Sequence, residues 1–528
     1  PDTHSDEATK RRNMVLKTLA KSGWDVTEAL SEPMNATHHD LHLPTLYPAY
    51  LQATRQWLVE HVSNEVVYGA GLEVFTAMDV VAQQRTEALI PTRLKYMEGK
   101  VGRRGESQLE SAAALLDIKT GKLVATWGGT LENETDFNRA TQARRQSGSS
   151  IKPLVYAMAF SSLDEQGMPV YNAASTVPNM MRTFPGTDGW RPRNVGGEYT
   201  ETTTLAMGLA WSQNIATASI LEKLGGPKSM VAFADRIGFA TEDWPLEMGL
   251  ALGQGEVTPL EMARFAATII DEGRLASGSP ILTAIDAGGN IRIAEETERE
   301  AVMTKEAAAL TRGLMRLVVL YGTGGSTRGA GGFPGYKGTA MGKTGTTDLE
   351  KDLWFIGGTP DYAGAIWIGY DKPTRVGGSA SDLAAPLWGW WMHALHEKAN
   401  KKEFPGLKLK RRAICTESGK WGNGNCKLIG APFLPGTKPK GVCPIEHFDP
   451  NAVIEEPDPS APPTTETTTT TPPKKKKYVG LWRRLEMEEE EKRQAVEAEA
   501  VNAQTATESP KETVPDSLSQ PPPKPEQQ

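Results

Sequence analysis

The chain has 528 residues, 39% of them hydrophobic and 23% charged, which is ordinary for a folded soluble protein and long enough for two to four domains. Its formal net charge of −7 excludes a general nucleic-acid binder, which carries a basic excess or stripe. No run reaches the roughly 18 to 20 apolar residues of a membrane helix, and no signal segment opens the sequence. Because it starts at Pro1, the chain reads as the C-terminal part of something longer, with a membrane anchor expected in the parent and not in these residues.

Residues 1–45 contain a basic helical patch, TKRRNMVLKTLAKSG, with Met14, Val15, Leu16 and Leu19 at near-helical spacing. The histidines His38, His39 and His42 that follow lie in a proline-broken loop, and no metal site is assigned to them. Residues 46–108 read as a small α/β module: the helix YLQATRQWLVEHV, a turn at Tyr68–Gly71, the strand LEVFTAMD and the helix VVAQQRTEALIPTRL.

The main domain, 109–400, opens with AAALLDIKTGKLVATWGG, two apolar strands joined by a hairpin with Gly121 at its turn. The polar FNRATQARRQSGSSIKPLVYAMAF then leads into a helix packed through Leu154, Ala157, Met158 and Phe160. A glycine- and proline-rich loop precedes AMGLAWSQNIATASILEKLG, which is predicted to be helical. In ALGQGEVTPLEMARFAATIIDEG, Thr258 is placed to cap a helix, with Pro259 at its first position and Glu261 completing a capping box. The glycine-rich YGTGGSTRGAGG lacks the lysine of a phosphate loop, so nucleotide binding is set aside. Three strand-like pieces in AMGKTGTTDLEKDLWFIGGTPDYAGAIWIGYD predict consecutive antiparallel strands, and AAPLWGWWMHALHEK a closing helix. Its His393 and His396 are expected to face solvent.

Residues 401–453 hold the chain's three cysteines, Cys415, Cys426 and Cys443, in a basic segment read as a small C-terminal extension. Their spacing fits no zinc pattern; one disulfide with a thiol left over and three free thiols both remain open. From 454 to 528 the composition turns to proline, threonine and charge, and that tail is expected to be disordered.

Three short motifs carry chemistry. In Ser149-Ser150-Ile151-Lys152 a serine precedes a lysine by three residues, so a helical turn puts nucleophile and base on one face. Ser212-Gln213-Asn214 and Lys343-Thr344-Gly345 follow in order, whereas Lys119-Thr120-Gly121 is explained as the hairpin turn. Together they specify serine acyl transfer without a histidine base. Ser149 attacks a carbonyl. Lys152 takes its proton if burial and the nearby Lys343 keep it neutral. Ser212 relays a proton, Asn214 holds the substrate backbone, Lys343, Thr344 and Thr346 meet a carboxylate, and Gly345 admits the substrate to the strand. The N–H groups of Ser149 and Thr346 would form the oxyanion hole, worth roughly 3 to 4 kcal/mol of barrier.

These motifs, with RRNMVLKTLAKSGW, GLEVFTAMDVVAQQ, FNRATQARRQSGSSIKP, ALGQGEVTPLEMA and DLWFIGGTPDY, resemble the class A, bifunctional penicillin-binding proteins over most of residues 10–400. The resemblance implies an α/β (α+β) transpeptidase fold shared with serine β-lactamases, a five-stranded antiparallel sheet sandwiched by helices. It implies crosslinking of peptidoglycan stem peptides, with a D-Ala-D-Ala donor and an amine acceptor, binding of β-lactam antibiotics, and no cofactor or metal. It also implies an extracytoplasmic place, cell-wall synthesis proteins as partners, and residues 1–45 as the end of a glycosyltransferase domain. Glu201 and Gly208 stand where the family more often shows glycine and alanine. A class A β-lactamase would add a glutamate with an asparagine four residues on, and no such pair lies between Asn214 and Lys343. A D,D-carboxypeptidase and a non-catalytic β-lactam sensor are the alternatives.

Overall fold

The computed structural model describes residues 5–33, 46–105, 107–130, 137–294, 299–396 and 402–447, all within one compact unit. The histidines at 38, 39 and 42 and the C-terminal tail lie outside the described residues. No described helix is long and apolar enough to cross a membrane.

The chain opens with helix α1 (Ser5–Lys21), whose Met14, Val15 and Leu19 are exposed. Helix α2 (Pro48–His61) and helix α3 (Val80–Val101) follow, and then the hairpin of β1 (Glu110–Asp117) and β2 (Leu123–Trp127). Its turn is tied by Thr120 N–H to Asp117 Oδ1, with Gly121 at φ +70°, so Lys119-Thr120-Gly121 is the turn that the sequence implies. Helix α4 (Lys152–Phe160), the short α5 (Leu205–Ala210), α6 (Asn214–Lys223), α7 (Pro259–Ile270) and α8 (Lys305–Leu320) come next. Strands β3 (Met341–Thr346), β4 (Asp352–Gly358) and β5 (Tyr362–Gly369) run consecutively into α9 (Ala384–Leu395), and the hairpin β6 (Lys410–Cys415) and β7 (Leu428–Phe433) follows.

One antiparallel sheet of five strands, in the order β3-β4-β5-β1-β2, organises the unit. Successive side chains of a strand point to opposite faces, and here both faces are buried. Ala112, Ala114, Trp354, Ile356, Ala365 and Trp367 face a core built with α4, α6, α7 and α8. Their neighbours Ala113, Leu115, Leu353, Phe355, Ile366 and Ile368 face a second core built with α3 and α9. This explains why β1, β4 and β5 read as largely apolar runs and not as alternating ones.

Helix α7 carries the expected capping box, Thr258 accepting from Glu261 N–H and Glu261 from Thr258 N–H. The stretch predicted as one helix over AMGLAWSQNIATASILEKLG is instead two, because the chain turns between α5 and α6. Gln213 N–H bonds to Gly208 O and Ser212 N–H to Leu209 O, with Ser212 left-handed at φ +57°. That is a Schellman stop with serine where glycine is usual. His396 departs from the solvent-facing expectation: it is half-buried against Tyr336 and Tyr362, whereas His393 is exposed.

Candidate active site

The nucleophile motif begins in a single 3-10 turn, Gly148–Ile151, that passes directly into α4. With three residues per turn, positions three apart eclipse, which sets Ser149 above Lys152 more closely than an α-helix would. The turn is held from below by Gly148 N–H to Gly253 O at 3.2 Å and by Ser150 Oγ to Ser147 O at 2.6 Å. Gly148 has φ +50°, and a Cβ there would stand 2.8 Å from Thr346 O, so only glycine lets the turn lie against the end of β3. Gly345 answers from the other side. A Cβ on it would meet Ser147 O at 2.6 Å and Ser150 N at 2.7 Å. Its bareness therefore serves the approach of the Ser147–Ser150 turn.

Lys152 and Lys343 are both fully buried. Lys152 Nζ donates to Ser212 O at 2.6 Å, Ser212 Oγ at 3.2 Å and Asn214 Oδ1 at 2.6 Å, and none of these bonds goes to Ser149. Lys343 Nζ donates to the same Ser212 Oγ at 2.9 Å and to Thr344 O at 2.8 Å. Burial, joined by the charge of Lys343, holds the Lys152 ammonium well below the ordinary lysine range. Burial alone pushes Lys343 down to about 7. The left-handed backbone of Ser212 is what brings its carbonyl and its hydroxyl to Lys152 together.

The polar groups around this chain are each partly committed. Asn214 Oδ1 accepts from Lys152 while its Nδ2 donates to Arg193 O at 2.7 Å, which leaves one amide proton unspent. Thr346 Oγ1 accepts from Ala380 N–H at 3.0 Å, so its own proton remains available. Thr344 Oγ1 lies 2.6 Å from Thr323 Oγ1. The eight sequence-selected residues, Ser149, Lys152, Ser212, Asn214, Lys343, Thr344, Gly345 and Thr346, thus meet at one place, where α4, the α5–α6 turn and β3 converge.

Two contributors escaped sequence reasoning. Thr323 belongs to the glycine-rich loop that was set aside, and Thr323 N–H bonds to Ala210 O at the end of α5. Asn194 Oδ1 accepts from the N–H groups of Asn214 at 2.8 Å and Ile215 at 3.1 Å, capping the start of α6 and fixing Asn214. The Arg-Asn preceding Val195 in a glycine-rich loop was the available signal, since asparagine is a strong helix cap.

Residues 111–386, just over half of the chain, match the family described as the penicillin binding protein transpeptidase domain. The chain is 29% identical over 392 residues to penicillin-binding protein 1B of Vibrio cholerae, covering 72% of this chain and 48% of that protein. It is 33% identical over 332 residues to penicillin-binding protein 1A of Neisseria meningitidis, covering 61% of this chain and 40% of that one. The chain therefore spans half or less of the length of these relatives. Among solved structures, penicillin-binding protein 1A from Haemophilus influenzae aligns with a TM-score of 0.63 at 21% identity, covering 83% of each chain. The PonA1 protein of Mycobacterium tuberculosis, in complex with penicillin V, aligns at 0.55 with 25% identity, covering 68% of this chain and 94% of that one.

Proposed function

The chain belongs to the penicillin-binding protein transpeptidase family, and from that premise we propose that it is a serine D,D-transpeptidase which crosslinks peptidoglycan stem peptides through an acyl-enzyme on Ser149. One observation carries the reading: Ser212 Oγ bridges two buried lysines, Lys152 and Lys343, beside a serine held in a glycine-lined turn.

A neutral amine keeps two donors and gains a lone pair, so Lys152 can stay anchored to Ser212 O and Asn214 Oδ1 while accepting the proton of Ser149. Ser149 Oγ then bonds to the carbonyl carbon of the penultimate D-Ala, and the N–H groups of Ser149 and Thr346 hold the oxyanion. The C–N bond to the terminal D-Ala breaks as its nitrogen receives the proton from Lys152 by way of Ser212. Lys343, Thr344 and the free proton of Thr346 hold the terminal carboxylate, and the spare proton of Asn214 Nδ2 holds the donor backbone. An acceptor amine next attacks the ester, the C–O bond to Ser149 breaks, and the proton lost by the amine returns to Ser149 along the same chain.

The same acylation applies to a β-lactam. The PonA1 structure in complex with penicillin V supports extending penicillin binding to this chain. A peptidoglycan substrate supports an extracytoplasmic site with cell-wall synthesis proteins as partners. Intact-mass measurement after brief exposure to a labelled penicillin, followed by peptide mapping and a timed chase, tests the reading. A lasting adduct on the Ser149 peptide, lost in Ser149→Ala, is expected. No adduct on folded protein overturns catalysis, and rapid release of hydrolysed drug moves the assignment to a β-lactamase.

A further inference from the structure

The cysteines that the sequence left unpaired do not stand alone in the fold. All three are free, and Cys415, Cys426, Cys443 and His447 offer ligand atoms that lie within 4.8 Å of one another. Among the described residues this is the one group of three or more such side chains placed to share a metal ion. Spacing along the sequence does not show this group, because the hairpin β6–β7 is what brings the cysteines to His447.

We propose that Cys415, Cys426, Cys443 and His447 form a closed tetrahedral site for a structural Zn²⁺ ion.

The distances are those that such an ion requires. Sulfur at about 2.3 Å and nitrogen at about 2.0 Å from a tetrahedral zinc stand about 3.5 Å from each other. Here His447 Nε2 is 3.3 Å from Cys415 Sγ and 3.4 Å from Cys443 Sγ. Two backbone N–H groups already point at sulfur, Ser418 N–H at Cys415 Sγ (3.5 Å) and Asn423 N–H at Cys426 Sγ (3.4 Å), as thiolate ligands need. The other ring nitrogen, His447 Nδ1, faces Glu417 Oε1 at 3.5 Å. A carboxylate on Nδ1 fixes the tautomer that turns the Nε2 lone pair toward the metal. Asn423 Nδ2 donates to Ile445 O at 2.8 Å, and Cys443 N–H to Trp421 O at 2.7 Å, so the segment carrying Cys443 and His447 is tied to the β6–β7 loop that carries Cys426. Four protein ligands leave no open position, which marks a structural and not a catalytic ion. Binding releases the three thiol protons, and the filled site carries one negative charge.

The loop between β6 and β7 also holds the segment that leads into α5. Thr204 N–H bonds to Thr416 O at 2.9 Å and Thr202 Oγ1 to Glu417 O at 3.1 Å. Thr204 in turn caps α5 (Leu205–Ala210), the helix whose left-handed stop is Ser212. The ion therefore braces the segment that sets the second motif.

The test uses the full chain, purified without chelator and then given Zn²⁺ or Co²⁺. The expected result is about one zinc per chain, three thiols titratable only after chelation and denaturation, and the visible absorption of tetrahedral thiolate-bound cobalt. Cys426→Ser, at the more exposed ligand, should lose the zinc, and Glu417→Gln should weaken it roughly 10- to 100-fold. Chelation should speed amide exchange in Thr202–Thr204. The proposal is overturned if folded wild-type protein takes up no zinc with its thiols free, if its intact mass is two hydrogens lighter because a disulfide has formed, or if Cys426→Ser keeps its full equivalent.

Discussion

Lys343 Nζ donates to Ser212 Oγ across 2.9 Å, and both atoms belong to a chain that ends on the equally buried Lys152. Two lysine side chains within reach of one hydroxyl cannot both remain charged in a dry site at little expense. The pair is an engine for keeping an amine neutral, and it leaves a signature in stability.

Lys343 titrates at about 7 in the fold against an ordinary 10.5. Between those values the unfolded chain binds the proton and the folded one does not, so stability rises with pH through that window and is lost as pH falls through about 7. Urea melts across this range should show wild type gaining on Lys343→Met as pH rises. Lys152, whose depression comes partly from Lys343, adds to the gain with the same sign. A flat difference between the two proteins would refute the neutral pair.

Ser212 occupies the left-handed region at φ +57°. A Cβ in that conformation costs roughly 1 to 2 kcal/mol, which glycine escapes. Ser212→Gly and Ser212→Ala both lack the hydroxyl and should both acylate poorly, yet the glycine variant should be the more stable by about 1 kcal/mol in paired denaturant melts. Equal stabilities would mean that the turn relaxes.

Gly148→Ala should cost acylation more than stability. Its Cβ would press on Thr346 O at 2.8 Å and lift the nucleophile off β3. A displacement of about 1 Å costs about 100-fold in rate, to be read from penicillin acylation in stopped flow. Gly186→Ala is the control, because Gly186 also has a positive φ, +70°, but no neighbour within 4 Å of the added carbon. It should acylate normally.

The glycine at 208 has a physical partner. A Cβ there would stand 2.6 Å from Tyr156 Oη, a buried hydroxyl with no hydrogen-bond partner among the described residues. Gly208→Ala alone should destabilise the protein. Tyr156→Phe should be neutral or stabilise it by about 1 kcal/mol, since it removes an unmet polar group. In the double variant the two effects should couple by about 1 kcal/mol or more. Additivity would separate the two residues.

Much of this architecture was legible because it rests on local rules. The Thr258–Glu261 capping box, the Gly121 turn and the three consecutive strands each follow from residues close in sequence. The helix break at Ser212 was hidden, since serine is not the residue that ordinarily takes a left-handed stop. His447 was missed for the opposite reason: its chemistry was ordinary but its partners are brought to it by the hairpin and not by spacing. Thr323 sat in a loop read only for phosphate binding, and its contact with Thr344 is a product of packing between α8 and β3.

The sheet has a consequence for the order in which this protein is made. Strand β1 pairs with β5, a strand translated long after it, and Ser149's turn rests on β3, which joins the sheet only through β4. Such distant pairings close slowly, because the loop entropy must be met before the contacts form. A ribosome that has already produced the serine and its lysine still holds an unassembled nucleophile. Reactivity is expected to arrive with β3 to β5, so a chain cut short before them should be an inert one.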